Sequence, residues 1–373
     1  MSDRVFAVVA GGGTAGHVLP ALAVAEGLVA LGHAADEIHF MGTSRGVEVD
    51  LLPPSGFPYS FFDVIGFQRS FGWRGIVSNV SFLVRLHRAR REAIRLLGKL
   101  APAVVVSVGG YASLPAVLAA RKLDLPVVVV SYDKRPGRAS RLAAGRAAAC
   151  AVAFPDSPLP HAVYTGAPLR RAVVEVDRAR DRSGARAELG IPEDRFLIVV
   201  MGGSLGSGIL NSAVVEYVET HAGRLDLAVR HLCGERFVAG MPPRRDGSAG
   251  ILYDVIGFES RMPAVYAAAD LLVGRGGAST VCEVAAVGIP SILVPWAGAA
   301  EDHQTENVRW LSDQGGAVLV TEAQLTPERF ATEVDRLRGN DAACVALADA
   351  AREAGGKHRS KALARLIEAV GRG

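Results

Sequence analysis

Long apolar runs are missing from this 373-residue chain. Stretches such as Val127–Val130 are far shorter than the roughly 20 residues that a membrane-spanning helix needs, so no spanning segment is expected. The N-terminal run Val5–Ala10 is cut off by glycines and lacks a cleavage pattern, so no signal peptide is expected either. Cysteine is scarce: Cys150, Cys233, Cys282 and Cys344 have no paired short spacing, which argues against a zinc site or a disulfide framework. No sign of charge dominates. Forty-one Lys plus Arg face 38 Asp plus Glu, a net charge of +3, too even for bulk nucleic-acid binding. Aromatics make up only 6% of residues, and the aliphatic excess points to buried parallel strands and packed helices. What is present is a hydrophobic content of 50%, enough to bury sizeable cores and to exclude general disorder. The 42 glycines and 19 prolines are dispersed rather than gathered into a collagen-like or linker-like tract. Length and composition together predict a soluble, cytosolic protein of about two domains.

Short β-branched runs alternate with longer helical patterns. Expected strands are Val5–Ala10, Glu37–Met41, Tyr59–Val64, Val104–Ser107, Val127–Ser131 and Ala149–Phe154. A second set is Phe196–Met201, Ala228–Leu232, Gly250–Asp254, Leu271–Val273, Ser291–Val294 and Ala317–Val320. Several are continuously apolar, the mark of strands covered on both faces. Helical patterns include Pro20–Leu31, Gly75–Leu100, Ile209–Val218 and Val281–Val287. The alternation predicts α/β architecture with right-handed crossovers. It also runs twice: Val5–Thr14 and Leu197–Ser204 each read as an apolar strand, a glycine cluster with a hydroxyl residue, then a helix. Two Rossmann-like domains facing one another are therefore expected, 1–165 and 166–350, linked near Gly166-Ala167-Pro168. A basic amphipathic helix over Ala351–Val370 is expected to pack back on the first.

The glycine clusters carry the chemistry. Gly11-Gly12-Gly13-Thr14-Ala15-Gly16-His17 lets the backbone approach an anion at a helix start, and diphosphate is the natural guest. Forced onto a dinucleotide fingerprint, it lacks an acidic residue closing the second strand, since Asp36 and Glu37 precede that strand. His17 suits proton transfer, because a helix N-terminus disfavours the imidazolium; a capping or packing role fits its position equally well. Gly202-Gly203-Ser204 and Gly109-Gly110-Tyr111 are further turns after strands, suited to phosphate or to turning alone. Gly276–Thr280 would present N–H groups and hydroxyls to a diphosphate. Glu283 is expected on the first helical turn, either holding both hydroxyls of a ribose or closing a capping box with Ser279 or Thr280. His303, Gln304 and Asn307 share a helix face and suit sugar hydroxyls. Between Phe67 and Lys99, Phe67, Phe71, Trp73, Ile76 and Phe82 are interleaved with arginines, a pattern for an anionic membrane surface or for an ordinary basic solvent face.

In this order, GGGTAGHVLPALAVAEGL, VGGYASLPA, GAPLR, MGGSLGSGILN, GRGGASTVCEVAAVG and HQTEN span nearly the whole chain. Together they resemble the MurG family, the UDP-N-acetylglucosamine–N-acetylmuramyl-(pentapeptide) pyrophosphoryl-undecaprenol N-acetylglucosamine transferases. The resemblance implies a GT-B fold with the active site in the cleft between the two domains. It implies UDP-GlcNAc as donor, undecaprenyl-linked lipid I as acceptor, inversion at the sugar, and no metal or other cofactor. It implies donor contacts from Arg170, Ser204, Ala278, Ser279, Thr280, Glu283, His303, Gln304 and Asn307, with Glu259 beside the uracil. Gly12, Gly13, Thr14, Ala15, Gly16 and His17, with Gly109, Gly110 and Tyr111, match the loops at the acceptor diphosphate. The patch from Phe67 to Phe82 matches the membrane-association surface, which implies a peripheral enzyme on the cytoplasmic face of the cell membrane, working beside other cell-wall synthesis proteins.

One stretch departs from the pattern. At the end of the strand Val127–Ser131 family members usually carry His-Glu-x-Asn, whereas this chain reads Val130-Ser131-Tyr132-Asp133. The family's acidic residue falls at Ser131 and its Asn at Asp133. That leaves His17 and Asp133 as candidates for the proton acceptor. It also leaves open an enzyme of the same fold with another acceptor, and a catalytically silent nucleotide-sugar-binding scaffold.

Overall fold

The computed structural model describes residues 5–65 and 73–373, without side chains at 73–83 and 300. Phe67 and Phe71 lie outside the described residues. Trp73, Ile76 and Phe82 fall on the Trp73–Leu100 helix at positions whose side chains are outside the description.

The chain divides into two compact units. One runs to Arg171 and takes in Ser360–Gly373; the other is Ala172–Arg359. The first holds β1 (Ala7–Ala10), β2 (Ile38–Thr43), β3 (Tyr59–Phe62), β4 (Val104–Ser107), β5 (Val127–Ser131), β6 (Ala149–Val152) and β7 (Ala162–Tyr164). They form one parallel sheet in the order β3-β2-β1-β4-β5-β6-β7. The second holds β8 (Phe196–Met201), β9 (Leu227–Leu232), β10 (Arg245–Asp246), β11 (Leu252–Ile256), β12 (Leu271–Arg275), β13 (Ser291–Val294) and β14 (Val318–Leu319). Their order is β10-β11-β9-β8-β12-β13-β14, parallel except for β10.

The continuously apolar strands owe their composition to two covered faces. In β1, Val8 and Ala10 join one core while Ala7 and Val9 join the core on the opposite face. In β8, Leu197 and Val199 alternate in the same way with Ile198 and Val200. A period of two sends successive side chains to opposite faces, and helices on both sides bury them. The Trp73–Leu100 helix buries Ala89, Ala93 and Leu97 at a spacing of four, and Arg88, Arg91, Arg95 and Lys99 stay exposed.

Two strands were not foreseen. β7 is three residues with an exposed Ala162 and Val163, and β10 is an Arg-Asp pair with no apolar signal. The expected single helix over Ala351–Val370 is broken. Asp341–Ala354 ends at Gly355, where a Cβ would lie 2.1 Å from the Ala285 carbonyl oxygen. The chain then restarts as Ala362–Arg372, which buries Leu363, Ala364 and Ile367 in the core beneath the Ala15–Val29 helix of the first unit.

The order of each sheet reverses once, between β1 and β4 and between β8 and β12. Chain direction after the central strand splits there, which leaves a crevice at the carboxyl ends of those strands for a ligand.

Candidate active site

At the first crevice the turn after β1 meets the turn after β4. Gly13 takes φ +93°, and a Cβ there would lie 2.8 Å from the Tyr111 ring. Gly110 takes φ +73°, and its Cβ would lie 2.7 Å from the Gly12 carbonyl oxygen. Neither position admits a side chain. His17 sits on the first turn of the Ala15–Val29 helix, with its ring against Gly109 and Gly110. Its Nδ1 lies 3.0 Å from the hydroxyl of Thr14, the N-cap residue. Burial lowers the His17 pKa, while the charges of Asp133 and Glu48 pull it back up.

Glu48, which no sequence pattern flagged, organises this turn. It is fully buried and opens the short Glu48–Leu51 helix. Its carboxylate accepts from Gly13 N at 3.0 and 3.1 Å and from Thr43 N at 2.8 Å. A Cβ on Gly12 or on Gly46 would come within 2.1 Å of it. The Gly13 N–H expected to meet a diphosphate is thus already held by a carboxylate. The Ala15 and Gly16 N–H groups at the start of the Ala15–Val29 helix remain as the candidate anion-facing feature, while the His17 N–H donates to the Thr14 carbonyl at 3.0 Å.

Ser131 closes β5 and is 4% exposed, a buried hydroxyl where an acid was looked for. Tyr132 follows, and its hydroxyl donates to the Gly16 carbonyl at 2.5 Å. Its ring meets the His17 ring edge-on at 6.3 Å between centroids. Burial and the neighbouring Asp133 charge push its phenol far above the ordinary range. Asp133 is partly buried in the same turn. The structure therefore brings Gly12–His17, Gly109–Tyr111 and Asp133 together.

In the second unit the turns after β8 and β12 flank the other crevice. The Gly202–Ser207 turn is tight: a Cβ on Gly206, at φ +68°, would lie 2.1 Å from the Cys233 carbonyl oxygen. Beneath it Asn211 donates to that oxygen at 3.1 Å, and His231 bridges Asn211 and Tyr253 at 3.0 and 2.9 Å. Burial takes His231 down to about 4, so the bridge is neutral at ordinary pH. Ser204 is exposed on this turn.

After β12, Gly276 lies against Val308 and Gln304, and a Cβ there would be 2.5 Å from Val308 Cγ2. Gly277 caps the Ala278–Val287 helix with no side-chain cap, so Ala278, Ser279 and Thr280 form its first turn. Glu283 is its sixth residue and lies on the second turn, which corrects the first-turn placement and excludes the capping box. The fully buried Tyr266 donates to Glu283 Oε2 at 2.6 Å. Burial raises the Glu283 carboxyl to about 7, and the Tyr266 bond pulls the other way.

The His303–Ser312 helix serves this crevice by holding its walls. Asn307 is fully buried and donates to the Gly276 carbonyl at 3.3 Å. Gln304 accepts from Trp296 N at 2.9 Å, and His303 is partly exposed at the helix start. Glu259 is buried. Burial raises its carboxyl, but bonds from Arg230 and Arg261 outweigh that and hold it below its ordinary range. Arg170 lies in the first unit, where its Nε donates to Glu26 at 2.6 Å. Among the described residues, no group of three or more His, Cys, Asp or Glu is placed to hold a metal ion. No helix among them is long and apolar enough to cross a membrane.

Residues 7–152 match the glycosyltransferase family 28 N-terminal domain, and residues 197–366 match its C-terminal domain. Over 369 residues the chain is 37% identical to a Nocardioides sp. protein named UDP-N-acetylglucosamine–N-acetylmuramyl-(pentapeptide) pyrophosphoryl-undecaprenol N-acetylglucosamine transferase, and 98% of each chain is covered. The chain belongs to this transferase family. A Mycobacterium tuberculosis protein of the same name is 38% identical over 380 residues, covering all of this chain and 90% of its own. The crystal structure of Acinetobacter baumannii MurG superposes with a TM-score of 0.71 at 26% identity, covering 99% of both chains. A glycosyltransferase of kitacinnamycin matches with a TM-score of 0.65 at 17% identity, which speaks to fold alone. The chain is a glycosyltransferase of family 28, and its two parallel-sheet units are the Rossmann-like domains of the GT-B fold.

Proposed function

We propose that this transferase moves N-acetylglucosamine from UDP-N-acetylglucosamine to lipid I, with inversion at the anomeric carbon, in peptidoglycan synthesis. The observation that carries the reading is near-full-length likeness to proteins named for that transfer. The two crevices give it a chemical basis. The second unit takes the donor: Glu283 accepts from the ribose hydroxyls, while the first-turn N–H groups of Ala278–Thr280 and the Ser204 hydroxyl face the diphosphate. These oriented donors stabilise the charge that builds on departing UDP, the task a metal performs in other transferases. Gln304 and His303 orient the sugar, and Asn307 and Gly276 fix the wall behind it. Arg170 and the backbone beside Glu259 complete the donor contacts.

The first unit takes the acceptor. His17 is the proton acceptor: with Nδ1–H donating to Thr14, its Nε2 lone pair is left for the attacking hydroxyl. Burial keeps the imidazole neutral near pH 7, and Asp133 stabilises the imidazolium that forms. The exposed arginines of the Trp73–Leu100 helix suit an anionic membrane surface on the cytoplasmic side, where a polyprenyl acceptor resides. Other cell-wall enzymes are natural partners there.

Ser131 and Asp133 motivate a second reading, the same transfer to a different lipid acceptor. A UDP-release assay tests the proposal. UDP should appear from UDP-N-acetylglucosamine only when lipid I is added. Release driven instead by another polyprenyl acceptor would favour the second reading, and bound donor without release would mark a silent scaffold.

A further inference from the structure

Pro20 lies inside the Ala15–Val29 helix, at its sixth residue. A proline has no N–H, so the carbonyl four residues earlier loses its intrahelical donor. That carbonyl belongs to Gly16, and the Tyr132 hydroxyl donates to it from the turn after β5. The bond joins two segments 116 residues apart. One carries His17 on the helical turn beside Gly16. The other carries Asp133 next to Tyr132.

We propose that Tyr132 is a positioning residue for the proton-accepting step: by bonding the carbonyl that Pro20 leaves open, it fixes the Asp133 turn against the helix that carries His17. The inference rests on His17 being the proton acceptor. The edge-on contact of the Tyr132 and His17 rings fits the same role, since it limits how far the imidazole can turn. The groups that bear on His17 are Asp133 beside Tyr132 and Glu48 from the Glu48–Leu51 helix; the turn after β4 faces it with the uncharged Gly109 and Gly110. Loosening the Tyr132 turn would withdraw Asp133 and leave Glu48 in place.

Tyr132→Phe removes the hydroxyl alone. Two readouts apply: steady-state transfer, and the His17 imidazole titration by NMR, with its resonance identified by loss in His17→Gln. The variant should lower kcat roughly tenfold, since small misplacements of a reacting group are costly. The KM for UDP-N-acetylglucosamine should hold, and His17 should titrate at lower pH because a raising charge has moved away. Pro20→Ala returns an N–H to Gly16 and separates positioning from simple carbonyl satisfaction. In the double variant any stability loss should be recovered while kcat and the His17 titration stay shifted. Unchanged kcat and titration in Tyr132→Phe would overturn the proposal, as would recovery of both by Pro20→Ala. If the wild type transfers nothing to lipid I, the functional reading fails, and the His17 titration alone decides the role of Tyr132.

Discussion

In the proposed mechanism His17 takes the acceptor's proton and Asp133 supports the imidazolium. Loss of a general base typically costs about 10²–10⁴ in rate, and His17→Ala tests the proposed base. Turnover should fall by that order while UDP affinity stays constant, measured by kinetics and calorimetry on one preparation. Asp133→Asn should lower turnover less, because it removes only support for the imidazolium. Glu283 gives a pH signature. Its carboxyl is raised to about 7, so the anion that would accept ribose hydroxyls in the proposed donor site forms only as pH climbs through that value. UDP-N-acetylglucosamine should bind more tightly above about pH 7 than below it, and Glu283→Gln should flatten the dependence. The same shift has a stability consequence. Between the ordinary carboxyl range and about 7 the unfolded chain binds fewer protons than the folded one, so stability falls as pH rises through that window. Glu48 shows why such residues escape a reading of the sequence. It bonds Gly13 N and Thr43 N, 35 and five residues away, and a lone Glu beside a turn carries no mark of those partners. Tyr132 and Tyr266 escaped for the same reason: each acts on a group that only folding brings near.

At the scale of elements, the strands were the most legible part. Runs such as Val104–Ser107 and Phe196–Met201 are apolar on both faces, and their bounds were read correctly. The glycine turns were legible too, because a residue without Cβ is required where Gly206 and Gly276 are crowded. Helix starts are less legible: the helices expected from Pro20 and Val281 begin at Ala15 and Ala278, and neither N-cap residue, Thr14 or Gly277, makes the side-chain bond that would mark the start. Gly276→Ala tests the second crevice. Overpacking of this kind costs roughly 1–3 kcal/mol, and the displaced Gln304 backbone should raise the donor KM while leaving the acceptor KM alone. The Ala362–Arg372 helix tests the first unit. Ile367 is fully buried there, and Ile367→Ala should cost about 2–5 kcal/mol, read from the first unit's transition in denaturant.

At the scale of the whole molecule, an almost neutral net charge coexists with a basic helix face. Binding to anionic vesicles should weaken with salt, and replacing Arg88, Arg91 and Arg95 by Gln should weaken it further without changing UDP affinity. The repeat of strand, glycine turn and helix announced two similar units, and each places its turns at a reversal of strand order. The two units together are proposed to move one sugar from the nucleotide to lipid I. The direct measurement supplies UDP-N-acetylglucosamine labelled in the sugar together with lipid I, and follows the label. Label should enter the lipid as one β-linked N-acetylglucosamine per acceptor. Label that remains in the nucleotide sugar, or that enters a different lipid in preference to lipid I, would contradict the proposed transfer.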